Sequence, residues 1–181
     1  MQLNKFVGST QWDNHKPSST GGAIIMTGSV VTIKDCTFEH NSAEVGGAIY
    51  GELSYIELVN SSFTNNHASG NSTCFGGALY AQRGCSVKIY NSTFSNNSAY
   101  CTEELDSAGG SIAIEGKAAD IHIIGTEFYH NNTAHGGAIV MVEAPIMIRK
   151  DFRRYTNDAN IVTIKDSILN WNTADKYGGV L

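Results

Sequence analysis

Proline is nearly missing from this chain. With only two prolines in 181 residues, the segments between turns are free to pair as strands, which a nitrogen without a proton would interrupt. Charge is scarce as well: Asp, Glu, Lys and Arg make up 16% of the residues, and the formal net charge is −5. The basic field that a nucleic-acid or anionic-membrane binder needs is therefore lacking. No apolar run approaches the roughly 18 residues of a membrane helix. Residues 1–9 hold no apolar core of a secretory leader. The four cysteines include no Cys-x-x-Cys spacing, which disfavours zinc. Glycine, serine, threonine and asparagine fill the space left over, a composition of strands and turns and not of helices.

A two-part signature recurs. Its first part is a Gly-Gly-small-aliphatic step: Gly21-Gly22-Ala23-Ile24, Gly46-Gly47-Ala48-Ile49, Gly76-Gly77-Ala78-Leu79, Gly109-Gly110-Ser111-Ile112, Gly136-Gly137-Ala138-Ile139 and Gly178-Gly179-Val180-Leu181. Its second part is an aromatic followed three residues later by Asn: Phe38/Asn41, Phe63/Asn66, Phe94/Asn97, Phe128/Asn131 and, with Leu in place of Phe, Leu169/Asn172. Successive second glycines lie 25, 30, 33, 27 and 42 residues apart. The extra residues fall at two places only, as they would in a rigid coil whose corner loops absorb length.

Before each aromatic comes a run with period two: Val31-Thr32-Ile33, Ile56-Glu57-Leu58, Val87-Lys88-Ile89, Ile121-His122-Ile123 and Val162-Thr163-Ile164. Alternation of this kind marks a half-buried strand. A second strand is expected after each Gly-Gly and a third around the aromatic. Three strands and about 25 residues per turn make an all-β parallel β-helix, a solenoid with about five to six rungs. Ile33, Leu58, Ile89, Ile123 and Ile164 should then form one interior stack, and Phe38, Phe63, Phe94, Phe128 and Leu169 another. The recurrent Asn is expected in a left-handed turn with its amide bonded to the next Asn, and either Asn131 or Asn132 can fill the fourth place in that ladder. Residues 1–20 are read as a polar N-terminal segment or cap and residues 21–181 as the repeats. Because Leu181 falls within a repeat, the chain is expected to be part of a longer solenoid, whose ends offer a route to self-association.

The pairing of Gly-Gly-Ala-(Ile/Leu/Val) with Phe-x-x-Asn resembles the passenger repeats of the chlamydial polymorphic outer-membrane proteins, from Gly21 to Leu181. That resemblance implies a right-handed, pectin-lyase-like β-helix exported to a cell surface, or to the outer membrane in a bacterium, where it serves in adhesion. The motif residues it rests on include Gly46, Gly47, Ala48, Ile49, Phe63, Asn66, Gly76, Gly77, Ala78, Leu79, Phe94 and Asn97.

The carboxylates Asp35, Asp166, Glu57 and Glu115 are scattered, and Glu103, Glu104 and Asp106 share an insertion. No acid pair falls on matching positions of adjacent rungs, so no catalytic residue and no cofactor is assigned. His40 and His130 share a slot three rungs apart, while His67, His122 and His135 do not join them, so no metal site is assigned. Cys74 and Cys101 sit in insertions at one corner of adjacent rungs and are the preferred disulfide, with Cys85 as the rival partner of Cys74. Cys36 is expected to be a buried free thiol. Sequons begin at Asn60, Asn71, Asn91, Asn96 and Asn131, candidates for N-glycosylation. Two surfaces are candidates for a protein or glycan partner on a neighbouring or host cell. One is the outward stripe Lys34, Val59, Tyr90, Ile124 and Lys165, whose rival reading is packing under a loop. The other is the insertion from Val142 to Asn160, with Arg149, Lys150, Arg153 and Arg154 around Phe152 and Tyr155; its rival reading is a solvated connector. The leading expectation is a non-catalytic extracellular interaction module. A fragment of a polysaccharide lyase or hydrolase and a structural stalk are the alternatives.

Overall fold

The computed structural model describes residues 4–7, 20–71, 73–102, 106–116, 120–142, 146–148 and 160–177. Every strand pairing in it is parallel, and partners come from successive repeats, so the chain winds as a parallel β-helix. Four sheets run along its length, not the three expected from the sequence. The Gly-Gly sheet is built from Ile24–Thr27, Ile49–Glu52, Leu79–Gln82, Ile112–Glu115 and Ile139–Val142. The aliphatic sheet follows, with Val30–Lys34, Tyr55–Val59, Ser86–Tyr90, Asp120–Ile124 and Asn160–Lys165. The phenylalanine sheet contains Cys36–Glu39, Ser62–Thr64, Thr93–Ser95, Glu127–Tyr129 and Ile168–Asn170. The unforeseen fourth set comes after the Asn corner: Ser42–Ala43, His67–Gly70, Ser98–Cys101, Asn132–His135 and Thr173–Tyr177. Its members are short and polar, so periodicity alone gives them no strand signal. The buried Ala43, Ala68 and Ala99 hold them to the core.

The interior is a set of columns. Phe38, Phe63, Phe94 and Phe128 are fully buried, with ring centroids 4.7, 4.6 and 5.0 Å apart and planes nearly parallel. The strand spacing of a sheet, about 4.8 Å, sets that distance. Leu169 continues the column in register with Phe128. Ile33, Leu58, Ile89, Ile123 and Ile164 line up as expected. One rung has no second layer to cover its apolar face; its neighbours along the axis do so instead.

Each corner has its own polar column. At the corner after the aliphatic strand, Asp35, Asn60, Asn91, Gly125 and Asp166 all have positive φ, as a turn slot should. The next residue then supplies an acceptor to the rung before it. The amide of Cys36 donates to Ser61 Oγ at 3.2 Å, that of Ser61 to Ser92 Oγ at 3.1 Å, and that of Thr126 to Ser167 Oγ at 3.2 Å. Each of these hydroxyls also closes its own turn by donating two residues back, as Ser61 does to the Val59 carbonyl at 2.9 Å.

The Asn ladder exists, but its backbone differs from expectation. Positive φ belongs to the residue before each ladder Asn: His40, Asn65, Asn96, His130 and Trp171. That residue makes the bend and points outward, so the following Asn turns inward. Asn131, and not Asn132, fills the fourth place, its Oδ1 accepting from Asn97 Nδ2 at 3.0 Å. Asn132 pairs with Ser98, and Thr133 takes the buried alanine position opposite Ala99. A register shift then falls against the last strand, where Thr133 and His135 face Ala174 and Tyr177.

The two glycines of each motif have different tasks. The first has positive φ at Gly21, Gly46, Gly76, Gly109 and Gly136. The second has no room for a side chain at Gly22, Gly47, Gly77 and Gly110, because a Cβ there would press on the carbonyl oxygen of the second glycine one rung on. Two strands extend the helix beyond the expected repeats. Asn4–Val7, within the segment read as a polar cap, pairs with Cys36–Glu39 and brings the Cα of Phe6 opposite Phe38. Ile146–Ile148, in the long insertion, pairs with Asn160–Lys165 and forms the outer edge of the aliphatic sheet.

Among the described residues one buried side-chain oxygen lacks a hydrogen bond, Ser111 Oγ. It stands where the other motifs carry Ala48, Ala78 and Ala138. Removing a buried, unsatisfied hydroxyl recovers its desolvation cost, on the order of 1 kcal/mol. Ser111→Ala should therefore raise the melting temperature by a few degrees in a thermal scan; a lower value would contradict the assigned environment.

Candidate contact surface

The insertions at residues 70–74 and 101–107 meet at one corner, where Thr73–Phe75 pairs with Asp106–Ala108. There Cys74 and Cys101 form a disulfide with Cα atoms 5.6 Å apart. Closing a loop of 27 residues contributes about 3–4 kcal/mol in the chain-entropy account. Cys85 is not the partner. Its buried thiol takes a hydroxyl's place in a corner column and accepts the amide of Ser54 at 3.3 Å, and burial pushes its pKa up. Cys36 is a buried free thiol, as expected.

The register places Lys34, Val59, Tyr90, Ile124 and Lys165 in one outward row of the aliphatic sheet. Val59, Tyr90 and Ile124 are half-buried by their neighbours, and the two lysines that bracket them are exposed. Next to this row runs a polar one. In it Glu57 accepts from Thr32 at 3.1 Å, and Lys88 lies 5.4 Å from the Tyr55 ring centroid. His122 and Asp120 are 3.0 Å apart. The face therefore presents aromatic, aliphatic and cationic groups at rung spacing. The basic cluster Arg149, Lys150, Phe152, Arg153, Arg154 and Tyr155 lies outside the described residues, as do Glu103 and Glu104.

Four sequon asparagines, Asn60, Asn71, Asn91 and Asn96, are exposed. Asn131 is a correction: it is fully buried, and its Nδ2 donates to Phe94 O and Asn172 Oδ1, so the atom a glycan would need is inside the ladder. Among the described residues no group of three or more His, Cys, Asp or Glu is arranged to hold a metal ion. No helix among the described residues is long and apolar enough to cross a membrane.

One cluster escaped the sequence reading. Glu52, Gln82 and Glu115 share an outward row of the Gly-Gly sheet. The Tyr50 hydroxyl donates to Glu52 at 3.3 Å and accepts from the Gln82 amide, while the Tyr80 hydroxyl donates to Glu115. Arg83 pairs with Glu52 at 2.5 Å. Burial raises the Tyr50 pKa, and the Glu52 charge raises it further. The two carboxylates are two rungs apart, about 9–10 Å at sheet spacing, and the Gln82 side chain lies in the row between them. The signal was present in the sequence, an acid or amide at a fixed offset after each of three Gly-Gly steps, but it did not reveal the tyrosines that bind the row together.

The family model described as right handed beta helix region matches residues 4–144. The chain belongs to that family. Its match begins at the N-terminal strand and runs through the fifth strand of the Gly-Gly sheet, so it covers all but the last members of the columns described above. No curated protein and no solved structure matches the chain.

Proposed function

We propose that this right-handed β-helix is a non-catalytic, extracellular or cell-surface interaction module of adhesin type, in the outer membrane if the source is bacterial. The observation that carries the reading is the stripe of Val59, Tyr90 and Ile124, held in register on one outer face and bracketed by Lys34 and Lys165. A tyrosine in such a row offers a ring and a hydroxyl to a protein or glycan without much loss of side-chain freedom. The Cys74–Cys101 disulfide supports an oxidising compartment. The exposed sequons at Asn60, Asn71, Asn91 and Asn96 are compatible with a glycosylated exoprotein. The likeness to chlamydial passenger repeats supports adhesion as the use of the surface.

Because the slot already accommodates lysine at both ends, Tyr90→Lys and Ile124→Lys should leave the fold intact. In a binding screen on cells and immobilised glycans, the double variant is expected to bind at least tenfold more weakly than the parent. Equal binding would remove the stripe as the contact surface. The row of Glu52 and Glu115 favours one second reading, a polysaccharide-cleaving enzyme. Product released from pectin- or alginate-like polymers, and lost in Glu52→Gln or Glu115→Gln, would replace the first reading with that one.

A further inference from the structure

The outer corner of the Asn ladder carries His40, Asn65, Asn96, His130 and Trp171, all in the left-handed region. Asn and His tolerate that backbone better than most residues; for a bulky side chain such as Trp it is an outlier. Trp171 (φ 51°) accepts this strain and still leaves its side chain in solvent, 65% exposed. Among the described residues, burial does not explain a tryptophan in this slot. Its ring stacks on the His130 imidazole, with centroids 5.2 Å apart and planes 15° from parallel, and the Tyr129 ring stands 6.5 Å away at 40°. Ile168, 47% exposed, is on the same end of the adjoining phenylalanine sheet. The register sets Glu127 opposite Ile168 and Asn170 opposite Tyr129, so a carboxylate and an amide border the aromatic group.

We infer that Trp171, stacked on His130 and bordered by Tyr129, Glu127 and Asn170, is a subsite for an uncharged sugar ring. A pyranose has a face of C–H bonds that lies flat on an aromatic ring, and a rim of hydroxyls that needs donors and acceptors at its edge. The corner offers both. A protein partner would need about 800 Å² of contact on each side, far more than these few side chains supply. The charged group that the register places at this border is a carboxylate, Glu127, which works against uronic acids and sulfated sugars. This corner adjoins a different sheet from the stripe and stands independently of it.

The chain has two tryptophans, so Trp12→Phe leaves Trp171 as the sole tryptophan, excited selectively above the tyrosine absorption band. Its fluorescence is titrated with hexasaccharides of β-1,4-glucose, β-1,4-N-acetylglucosamine and β-1,3-glucose, with hexagalacturonate as the acidic comparison. The expected result is a saturable shift with at least one neutral oligosaccharide. Saturation-transfer NMR, which needs no tryptophan, should then show at least tenfold weaker binding in Trp171→Asn. That substitution installs the residue the same corner carries at positions 65 and 96, so circular dichroism and melting temperature should be retained or improved. The inference is overturned if no neutral hexasaccharide shifts the emission up to about 10 mM, a very weak affinity. It is equally overturned by preference for hexagalacturonate or by undiminished binding in Trp171→Asn. A concentration-dependent dimer in sedimentation velocity that this variant abolishes would assign the corner to a second copy of the chain and also end the proposal.

Discussion

Replacing Asn97 with alanine is expected to destabilise the protein by on the order of 4 kcal/mol. Its Oδ1 accepts both the backbone amide and the Nδ2 of Asn66, each at 3.0 Å. Its Nδ2 donates to Phe63 O and to Asn131 Oδ1, each at 3.0 Å. Asn97 is fully buried, so water cannot replace these partners. Alanine would leave a backbone N–H, an amide proton and a carbonyl unpaired in the interior, at about 1–3 kcal/mol each before relaxation. The neighbouring Asn96 serves as the control. It is exposed at the bend, and Asn96→Ala should lose only about 1 kcal/mol, from forcing alanine into positive φ. Urea denaturation of both variants separates the two roles; similar losses would mean that the ladder is not a structural column.

Gly77→Ala should have the larger effect, the loss of soluble folded protein. A Cβ at this position would sit 2.6 Å from both the backbone nitrogen and oxygen of Ser98 and closer still to the Gly110 carbonyl oxygen. All three atoms are backbone, and the rungs around them are tied by hydrogen bonds such as Ser98 N to Asn66 O at 3.0 Å and Gly77 N to Gly109 O at 3.1 Å. None can turn aside as a flexible side chain would, and spreading the rungs would break several pairings at once. An added methyl in a tightly packed site typically costs about 1–3 kcal/mol, and a clash with immovable backbone exceeds that. Expression yield with size-exclusion profile, compared with Gly28→Ala, checks it. Gly28 has positive φ but open space around its would-be Cβ, so that change should be milder. A monomeric, fully folded Gly77→Ala protein would refute close rung contact at this corner.

Both residues were visible before any coordinates, since they belong to motifs that recur at a nearly fixed distance. A repeat reports on the environment of a slot several times over, and Phe38, Phe63, Phe94 and Phe128 needed only to share one column to make it the core. The preferred Cys74–Cys101 pairing was legible for a similar reason: two insertions at equivalent places must leave the helix at the same corner. The fourth sheet was missed because its strands are short and polar, with one buried alanine each. The left-handed bend was assigned one residue too late because Asn is the usual occupant of such a turn, while here the bend falls to residues as unlike as His40, Asn96 and Trp171.

The sequence alone determined the winding, the interior columns and the need for glycine at each Gly-Gly step, because period-two alternation and a repeating unit are local properties that stacking only multiplies. Tertiary structure decided which asparagine of the pair at 131 and 132 enters the ladder, and that Ile146–Ile148 closes one sheet edge. It also decided that Glu52, Gln82 and Glu115 are joined through Tyr50 and Tyr80, and that Trp171 rests on His130. Those outcomes depend on how loops of unequal length are absorbed between rungs and on side-chain rotamers across a gap of about 4.8 Å. Neither is written in the spacing of residues along one strand.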